Sequence, residues 1–429
     1  MLAIIGFLMI GIFMVLIMTK KMTPLTSLVL VPVLVAVVAG FGEGLGDMMK
    51  AGVKEVSLTG VMLIFAILYF SLMIDTGLFE PLINLIINAV GDDPVKTTVG
   101  TAVLTILVSL DGDGASTYII VVVALMPLYR RQGLNPLVLT CIIMLVAGVM
   151  NILPWGGPTA RVMSSLKLGH DQIFVPLIPV MGFGLVWVFI AAYILGVREK
   201  NRIRKYGKFT EYSNGDISGE RDVALGRPKL IWVNFILTLS LLIVMILDVI
   251  PLAIAFMIAF CIASILNYPK LKDQQKIMTK HAGNALAVAG MIFGAGIFTG
   301  ILNGTGIMHA MGRAVIDIVP SSWDQYLSTV TAVFSMPLTF FLTNDAYYFG
   351  ILPIIVAAGE HFGIAPEVMG RASLVGQASH LLSPLVPSTY LLVSLAGVEF
   401  SDHLRFTIKW AFGTFVFMLA GAFILGVIA

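Results

Sequence analysis

The sequence contains little charge: Asp, Glu, Lys and Arg together make up 12% of its 429 residues. A soluble domain carries about 25% charged residues, so this shortage excludes an ordinary soluble protein. Apolar residues take their place, and 58% of the chain is hydrophobic. The composition therefore predicts one polytopic membrane domain without a large soluble appendage.

Cysteine is nearly absent as well. Cys141 and Cys261 both lie inside apolar runs, so no disulfide framework is predicted. The N-terminus also lacks the basic region and small-residue cleavage site of a signal peptide. We therefore expect the apolar run 2–18 to be a retained first transmembrane helix.

Long apolar runs predict ten transmembrane helices, because a helix needs about 20 apolar residues to cross the hydrocarbon core. The predicted spans are 2–19, 24–41, 57–75, 136–165, 172–196, 230–248, 250–267, 284–302, 366–396 and 404–428. Two further stretches, 96–128 and 326–358, are interrupted by polar residues, and their halves are too short to cross comfortably. We interpret them as re-entrant hairpins. The predicted fold is an all-α polytopic membrane protein with ten spans, two hairpins and two broken helices.

The basic loops predict the orientation of these spans. In this arrangement the basic pairs 20–21 and 130–131 and the basic runs 198–208 and 270–280 all fall on one side. The positive-inside rule makes that side cytoplasmic and places both termini outside. Segment 198–229 is predicted to be a cytoplasmic linker between an N-terminal half, 1–197, and a C-terminal half, 230–429.

The two halves match at an offset near 230 residues. Thr76-Gly77 aligns with Thr305-Gly306, and Thr159 aligns with Thr389. Each half holds five spans, an odd number, so the second half must run in the opposite orientation. The sequence therefore predicts an inverted-topology repeat, an architecture of alternating-access carriers that bind substrate near the bilayer midplane.

Four polar breaks interrupt the apolar segments, two in each half at corresponding positions. They are 111–117 at the first hairpin tip, 151–159 in the fourth span, 343–348 at the second hairpin tip and 379–389 in the ninth span. Irregular backbone at membrane depth is tolerated only where protein or a water-filled cavity satisfies it. We therefore predict that the four breaks surround one substrate cavity.

Glycine and proline in the two broken spans predict half-helices that begin at this cavity. Their positive N-termini favour anions, and the hydroxyls of their first turns are available to a carboxylate. Arg161, at membrane depth, is the best candidate to pair with a substrate carboxylate. The residues predicted to bind the anion are Gly156, Gly157, Pro158, Thr159, Arg161, Ser388 and Thr389.

Three acids at the hairpin tips, Asp111, Asp113 and Asp345, predict the handling of cations. A carboxylate at membrane depth needs a divalent metal or a proton, so we predict that these acids contact a metal. Ser116, Thr117 and Asn344 are predicted to complete an oxygen-rich shell that holds the substrate. Proton coupling is predicted at Asp113, Asp345 and His380.

Several alternatives remain open at this stage. Asp111 or Asp113 is alternatively a helix N-cap, Arg161 alternatively neutralises one of these two acids, and His380 alternatively packs against a neighbour. Trp155 belongs either to the cavity wall or to the packing. Outside the breaks, Asp75 is expected at the membrane interface, and His281 and His403 are expected in loops or at the interface.

Three stretches of sequence resemble one family: L-D-G-D-G-A-S-T at 110–117, N-I-L-P-W-G-G-P-T at 151–159 and the opening M-L-A-I-I-G-F-L-M. They are similar to the citrate–divalent metal–proton symporters of the ion transporter superfamily, and the similarity covers essentially the whole chain. The resemblance implies proton-driven import of citrate bound to a cation of the Mg²⁺ or Ca²⁺ class. It implies no enzymatic activity and no resident cofactor.

The same resemblance implies an elevator-like movement of a hairpin-bearing domain against a dimeric scaffold, in the plasma membrane of a bacterium. One departure bears on the coupling ion. Sodium-coupled relatives carry Ser-Asn-Thr at both hairpin tips, whereas the tips here read Gly-Ala-Ser-Thr and Thr-Asn-Asp-Ala. The alternatives are a sodium-coupled di- or tricarboxylate carrier, a sodium–proton antiporter, a channel and an intramembrane aspartyl protease.

Overall fold

A computed structural model describes residues 1–19, 21–112, 114–207, 226–247, 249–316 and 326–428. Every regular element in these ranges is helical, which confirms the predicted fold class. The helices of the N-terminal half are α1 (Leu2–Met18), α2 (Pro24–Val38), α3 (Leu45–Asp75), α4 (Glu80–Val90), α5 (Pro94–Val108), α6 (Gly114–Gln132), α7 (Pro136–Met150), α8 (Gly157–Leu166), α9 (His170–Ile173) and α10 (Ile178–Tyr206). Those of the C-terminal half are α11 (Ile231–Leu247), α12 (Leu252–Asn267), α13 (Leu271–Gly304), α14 (Ile307–Ile316), α15 (Leu327–Phe341), α16 (Leu352–His361), α17 (Pro366–Leu374), α18 (Gln377–His380), α19 (Pro387–Ala396) and α20 (Phe400–Ile424).

Several of these segments are long and apolar enough to cross a membrane. Among the described residues there are five: Leu45–Asp75, His170–Tyr206, Pro228–Met245, Leu271–Gly304 and Phe400–Ile424. Shorter apolar helices, α1, α2, α7 and α12 among them, accompany the five. The chain is therefore a multi-pass membrane protein, while the count of ten spans stays a prediction.

Some helix boundaries differ from those expected. Helices α3 and α13 begin at Leu45 and Leu271, ahead of the predicted 57 and 284, because their first turns are polar but rich in helix-forming residues. Helices α4 and α14 are short and were not predicted. α4 buries Ile83, Ile86 and Val90 on one face, which is the pattern of an amphipathic helix.

The predicted linker is only partly described. Helix α10 continues to Tyr206, inside the predicted linker 198–229, and a short 3₁₀ turn at Pro228–Leu230 leads into α11. Residues 208–225 lie outside the described ranges.

The two halves share one succession of elements. Each has two apolar helices, a long helix, a short helix, a hairpin, a broken helix and a final long helix. Thr76 and Thr305 end the long helices, and the glycine after each has a positive φ, 83° at Gly77 and 71° at Gly306. This similarity agrees with a repeat; the inverted orientation of the second half stays a prediction.

The helices pack into two groups. Helices α1–α3 and α11–α13 form the first group, in which α3 lies along α13. The hairpins, the broken helices, α10 and α20 form the second, in which the indole of Trp187 packs on Gly413 and donates to the carbonyl of Trp410. The two groups meet where α8 contacts α3 and α13 and where α1 contacts residues 346–351.

Candidate functional site

The first hairpin is an antiparallel pair of helices. The Thr97 hydroxyl donates to Oε1 of Gln132 over 3.0 Å, and the hydroxyls of Thr101 and Tyr129 lie 3.0 Å apart. Side chains near the start of α5 therefore contact side chains near the end of α6. This is the pairing that the predicted re-entrant hairpin requires.

The tip of this hairpin is a tight turn. A 3₁₀ turn, Ser109–Asp111, ends at Gly112, whose φ of 74° favours glycine. The Asp111 side chain is buried, and its Oδ1 accepts a hydrogen bond of 3.2 Å from the Thr117 hydroxyl. Asp111 and Thr117, both predicted site residues, therefore lie together. Asp113 lies outside the described residues.

Trp155, in the second break, fixes this turn in place. Its indole nitrogen donates to the carbonyl of Leu110 over 2.9 Å, and a Cβ at Gly112 would lie 2.5 Å from its ring. The ring also contacts Phe70 of α3 and Phe256 of α12, with centroids 5.3 and 5.0 Å away. Of the two interpretations left open, the structure therefore favours packing.

Threonine closes both broken helices in the same way. The Thr159 hydroxyl, on α8, donates to the carbonyl of Ile152 over 2.7 Å, and the Thr389 hydroxyl, on α19, donates to the carbonyl of Leu381. Both side chains are fully buried. These hydroxyls were predicted to be available to a substrate carboxylate. They donate instead to backbone carbonyls at the break in each helix.

The helix starts behind these threonines have only part of their backbone donors bonded, for example that of Thr389 to the Val386 carbonyl. Neither α8, which follows Gly156 and begins Gly157-Pro158, nor α19 has a side-chain cap. Their first-turn N–H groups and helix dipoles are therefore directed at the break. Ser388 lies in the first turn of α19, with its hydroxyl 3.7 Å from where a Cβ of Gly114 would stand. The first hairpin tip and the fourth break are thus in contact.

The second hairpin tip is held by an ion pair. The Arg161 Nε donates to Oδ1 of Asp345 over 2.7 Å, with side-chain exposures of 12% and 9%. The Nη1 of Arg161 also donates to the carbonyl of Gly157 over 2.9 Å, at the start of its own helix. Arg161 thus neutralises an acid, as one alternative proposed, although the partner is Asp345 and not Asp111.

Gln377, two residues before the fourth break, links the second and third breaks and was not predicted. Its Nε2 donates to Oδ1 of Asn344 over 3.1 Å and to the hydroxyl of Tyr348 over 2.6 Å. Its Oε1 accepts from Asn151 over 3.4 Å. The polar run 377–380 was the available signal, but the predicted break began at 379. These contacts bring the second and third breaks together beside the fourth, whereas a substrate cavity surrounded by all four breaks stays a prediction.

His380 packs where these breaks meet. Its Nδ1 lies 2.6 Å from the carbonyl oxygen of Thr339 on α15. A carbonyl oxygen only accepts, so Nδ1 carries a proton and donates. The contact agrees with the packing alternative, and proton coupling through His380 stays a prediction.

Two other histidines, expected in loops or at the interface, lie within helices. His403 is fully buried in α20, and its Nδ1 lies 3.0 Å from the hydroxyl of Thr140 on α7. His281 lies within α13 and contacts Asp75. The loop or interface position expected for His403 is therefore wrong, because its ring is buried inside the helix packing and its Nδ1 bonds there.

The predicted metal ligands are only partly described. Among the residues the structure describes, no group of three His, Cys, Asp or Glu side chains is placed to hold a metal ion. Asp113 falls outside that set. The three-acid site therefore stays a prediction.

Comparison with known proteins adds the family. Residues 7–376 match the family described as citrate transporter, CitMHS. The chain belongs to the citrate transporter family. It is 52% identical, over the full length of both chains, to a protein of Bacillus subtilis (strain 168) named "Citrate transporter". It is 44% identical, over all of this chain and 99% of the other, to that organism's "Mg(2+)/citrate complex secondary transporter".

A solved structure shares the fold of this citrate transporter family member. MtrF of Neisseria gonorrhoeae, described as illuminating a class of antimetabolite efflux pumps, superposes with a TM-score of 0.57. The match covers 89% of this chain and 84% of MtrF at 12% identity. The family and the names of the relatives indicate a transporter and not an enzyme.

Proposed function

We propose that this member of the citrate transporter family imports citrate as a complex with a divalent metal ion, in symport with protons. One observation carries the proposal: an ion pair, Arg161–Asp345, stands where a hairpin tip meets an uncapped helix start. A metal–citrate complex is both anion and cation. It therefore suits a site in which hydrogen-bond donors for a substrate carboxylate lie beside a protein carboxylate that can bind the metal.

Arg161 has donors to spare for the substrate. A guanidinium carries five N–H groups. Within the described part of the chain, its three nitrogens contact Asp345, the Gly157 carbonyl and the sulfur of Met291. A citrate carboxylate takes the remaining donors together with the N–H groups that begin α8. Asp345 keeps its bond from Nε through Oδ1 and offers its other carboxylate oxygen to the metal.

In this proposal, the acids at the hairpin tips couple citrate transport to the proton gradient. A carboxylate of Asp113 or Asp345 takes a proton on the outer side and loses it on the inner side. Protonation lowers the cost of moving charge across the membrane, which is about 2.3 kcal/mol per charge per 100 mV. Asp111, held by Thr117, contributes an oxygen to the metal.

The two helix groups provide the moving and fixed parts. The group that carries the hairpins and broken helices meets the other group at α8, and short helices α4 and α14 each follow a long helix of the first group. We take the first group as the scaffold of a homodimer in the cell membrane. The hairpin-bearing group moves the substrate past it.

Uptake of labelled citrate by proteoliposomes tests the proposal. We expect uptake with a divalent cation present, loss of uptake with chelator, and stimulation by an inward proton gradient. A panel of Mg²⁺, Ca²⁺ and other divalent ions identifies the metal. Uptake driven by sodium, or by citrate alone in chelator, would contradict the proposal and favour a sodium-coupled carrier.

A further inference from the structure

A cavity of about 690 Å³ lies beside the hairpin tip, between α3, α13, α4 and α6. Ser116, near the tip, lines one part of it, and Asp75, Lys280, His281 and Asn284 line another. Sites for small molecules have volumes of about 300–1,000 Å³, so this cavity is of ligand size. It connects the first hairpin with a cluster of charge that the site above does not use.

The cluster consists of one carboxylate between two bases on α13. Oδ1 of Asp75 lies 2.7 Å from the Lys280 ammonium, and its Oδ2 lies 2.7 Å from Nε2 of His281. The side chains of Asp75 and His281 are 13% and 15% exposed, and that of Lys280 is 39% exposed. The two bases are thus held at the cavity by a carboxylate, the chemical group that citrate itself carries.

Donors for a second carboxylate remain in the cavity. An ammonium has three N–H groups, and among the described contacts that of Lys280 bonds only to Asp75. The side chain of Asn284 is exposed toward the cavity. Glu80, in the first turn of α4, also lines the cavity, and its carboxyl group lies close to Gly77.

The charged cluster occurs at one end of the α3–α13 pair. When Thr76 is aligned with Thr305, the counterparts of Asp75 and His281 are Gly304 and Gly52. At that end the helices touch: a Cβ on Gly52 would lie 1.9 Å from the carbonyl oxygen of Gly296. One end is therefore packed shut, whereas the other holds a polar cavity. The basic loops predict that the cavity end is cytoplasmic.

From this geometry we infer a second carboxylate-binding site, formed by Lys280, His281 and Asn284, on the cytoplasmic path of the substrate. It rests on the proposed function. A carboxylate that leaves the hairpin tip at Ser116 meets these donors in competition with Asp75. The site thus binds the polycarboxylate between the hairpin tips and the cytoplasm.

Sided binding tests the inference. Half-saturation for Mg²⁺–citrate is measured in inside-out and right-side-out vesicles. Lys280→Gln is expected to raise the inner half-saturation concentration about tenfold, the loss of a hydrogen bond to a charged group. The outer value stays within about twofold. Asp75→Asn is expected to lower the inner value, because it frees the donors. A merely structural role would not give opposite signs.

Two further variants complete the experiment. Lys272→Gln, at an exposed position of α13 outside the cavity, is the matched control and leaves both values unchanged. Asn284→Leu keeps the ion pairs whole and raises the inner value even if Lys280→Gln misfolds. If Lys280→Gln and Asn284→Leu both keep the native half-saturation concentration on the inner side, the inference is overturned and the proposed function stays intact. Absence of any citrate uptake by the native protein overturns both.

Discussion

Arg161 and Asp345 join the two halves of the chain by an ion pair of 2.7 Å between side chains that are almost fully buried. The pair connects the start of α8 with the tip of the second hairpin. It is therefore both a structural link and the meeting point of anion and cation chemistry in the proposed site.

Removing one partner of this pair is expected to affect folding and transport together. Asp345→Asn leaves a buried guanidinium unpaired, which costs about 3–5 kcal/mol, and we expect citrate uptake to fall at least about tenfold. The double variant Arg161→Gln/Asp345→Asn should lose less stability than the two single losses added, because no unpaired charge remains. Thermal unfolding in detergent and uptake measure the two effects.

The control for this prediction is an exposed pair. Arg131 and Asp92 lie 3.0 Å apart with side-chain exposures of 62% and 83%. Asp92→Asn should change stability by less than about 1 kcal/mol, since exposed ion pairs contribute little. Equal losses in Asp92→Asn and Asp345→Asn would contradict the importance of the buried pair.

Gly112 is expected to tolerate no side chain. A Cβ there would lie 2.5 Å from the Trp155 ring, on a backbone with φ of 74°. Gly112→Ala should therefore push the hairpin tip away from the second break and abolish citrate uptake. Gly42→Ala is the matched control, because no heavy atom lies within 4 Å of its added Cβ. Near-native uptake by Gly112→Ala would show that the tip does not need this contact.

The side chain of Gln377 is expected to contribute more to stability than any one of its hydrogen bonds does. Gln377→Leu leaves Asn344, Tyr348 and Asn151 without the partner they have now. Tyr348 is fully buried, and a buried polar group left unsatisfied costs about 1–3 kcal/mol. Tyr348→Phe removes one of these bonds and should cost about 0.5–1.5 kcal/mol. We expect a graded loss of melting temperature, Gln377→Leu below Tyr348→Phe; the reverse order would disprove the assignment of Gln377 as the link.

Asp93, at the base of the first hairpin, is expected to make the stability of the protein depend on pH. The amide of Val95 donates to its Oδ1 over 2.9 Å and Lys200 approaches its Oδ2 at 3.3 Å; both hold the pKa of Asp93 below its usual value. A lowered pKa contributes stability above the unfolded pKa, and that stability is lost as the pH falls through the folded pKa. Asn also caps a helix, so Asp93→Asn removes the charge and keeps the cap.

The melting temperatures of the native protein and of Asp93→Asn test this. The native advantage in melting temperature should be small and largest near neutral pH; it should begin to fall near the ordinary Asp pKa of about 3.9 and vanish as the pH drops further. An advantage that grows as the solution is acidified would have the wrong sign for a lowered pKa.

The sequence was informative where one residue type has one physical use. Interrupted apolar runs predicted the positions of the breaks, because irregular backbone needs a polar environment inside a membrane. Arg161 and Asp345 stood out because charge at membrane depth needs a partner. Which acid partners Arg161 was not predictable, since that depends on how α8 and the second hairpin lie in space.

The sequence was less informative for short polar side chains. A hydroxyl at a helix start suits a ligand or the protein's own carbonyls equally well, and Thr159 uses a carbonyl. Gln377 and the Asp75–His281 pair depend on contacts between distant segments. Helices α4 and α14 were missed because short amphipathic segments resemble loops in an apolar chain.

The glycine contact between α3 and α13 has a consequence for the cell. Backbone touches backbone at Gly52 and Gly296, so a file of water molecules has no room between the two helices at that point. Protons cannot be passed along a chain of water molecules that does not form. The helix contact therefore leaves no route along this seam by which the proton gradient across the membrane could leak away.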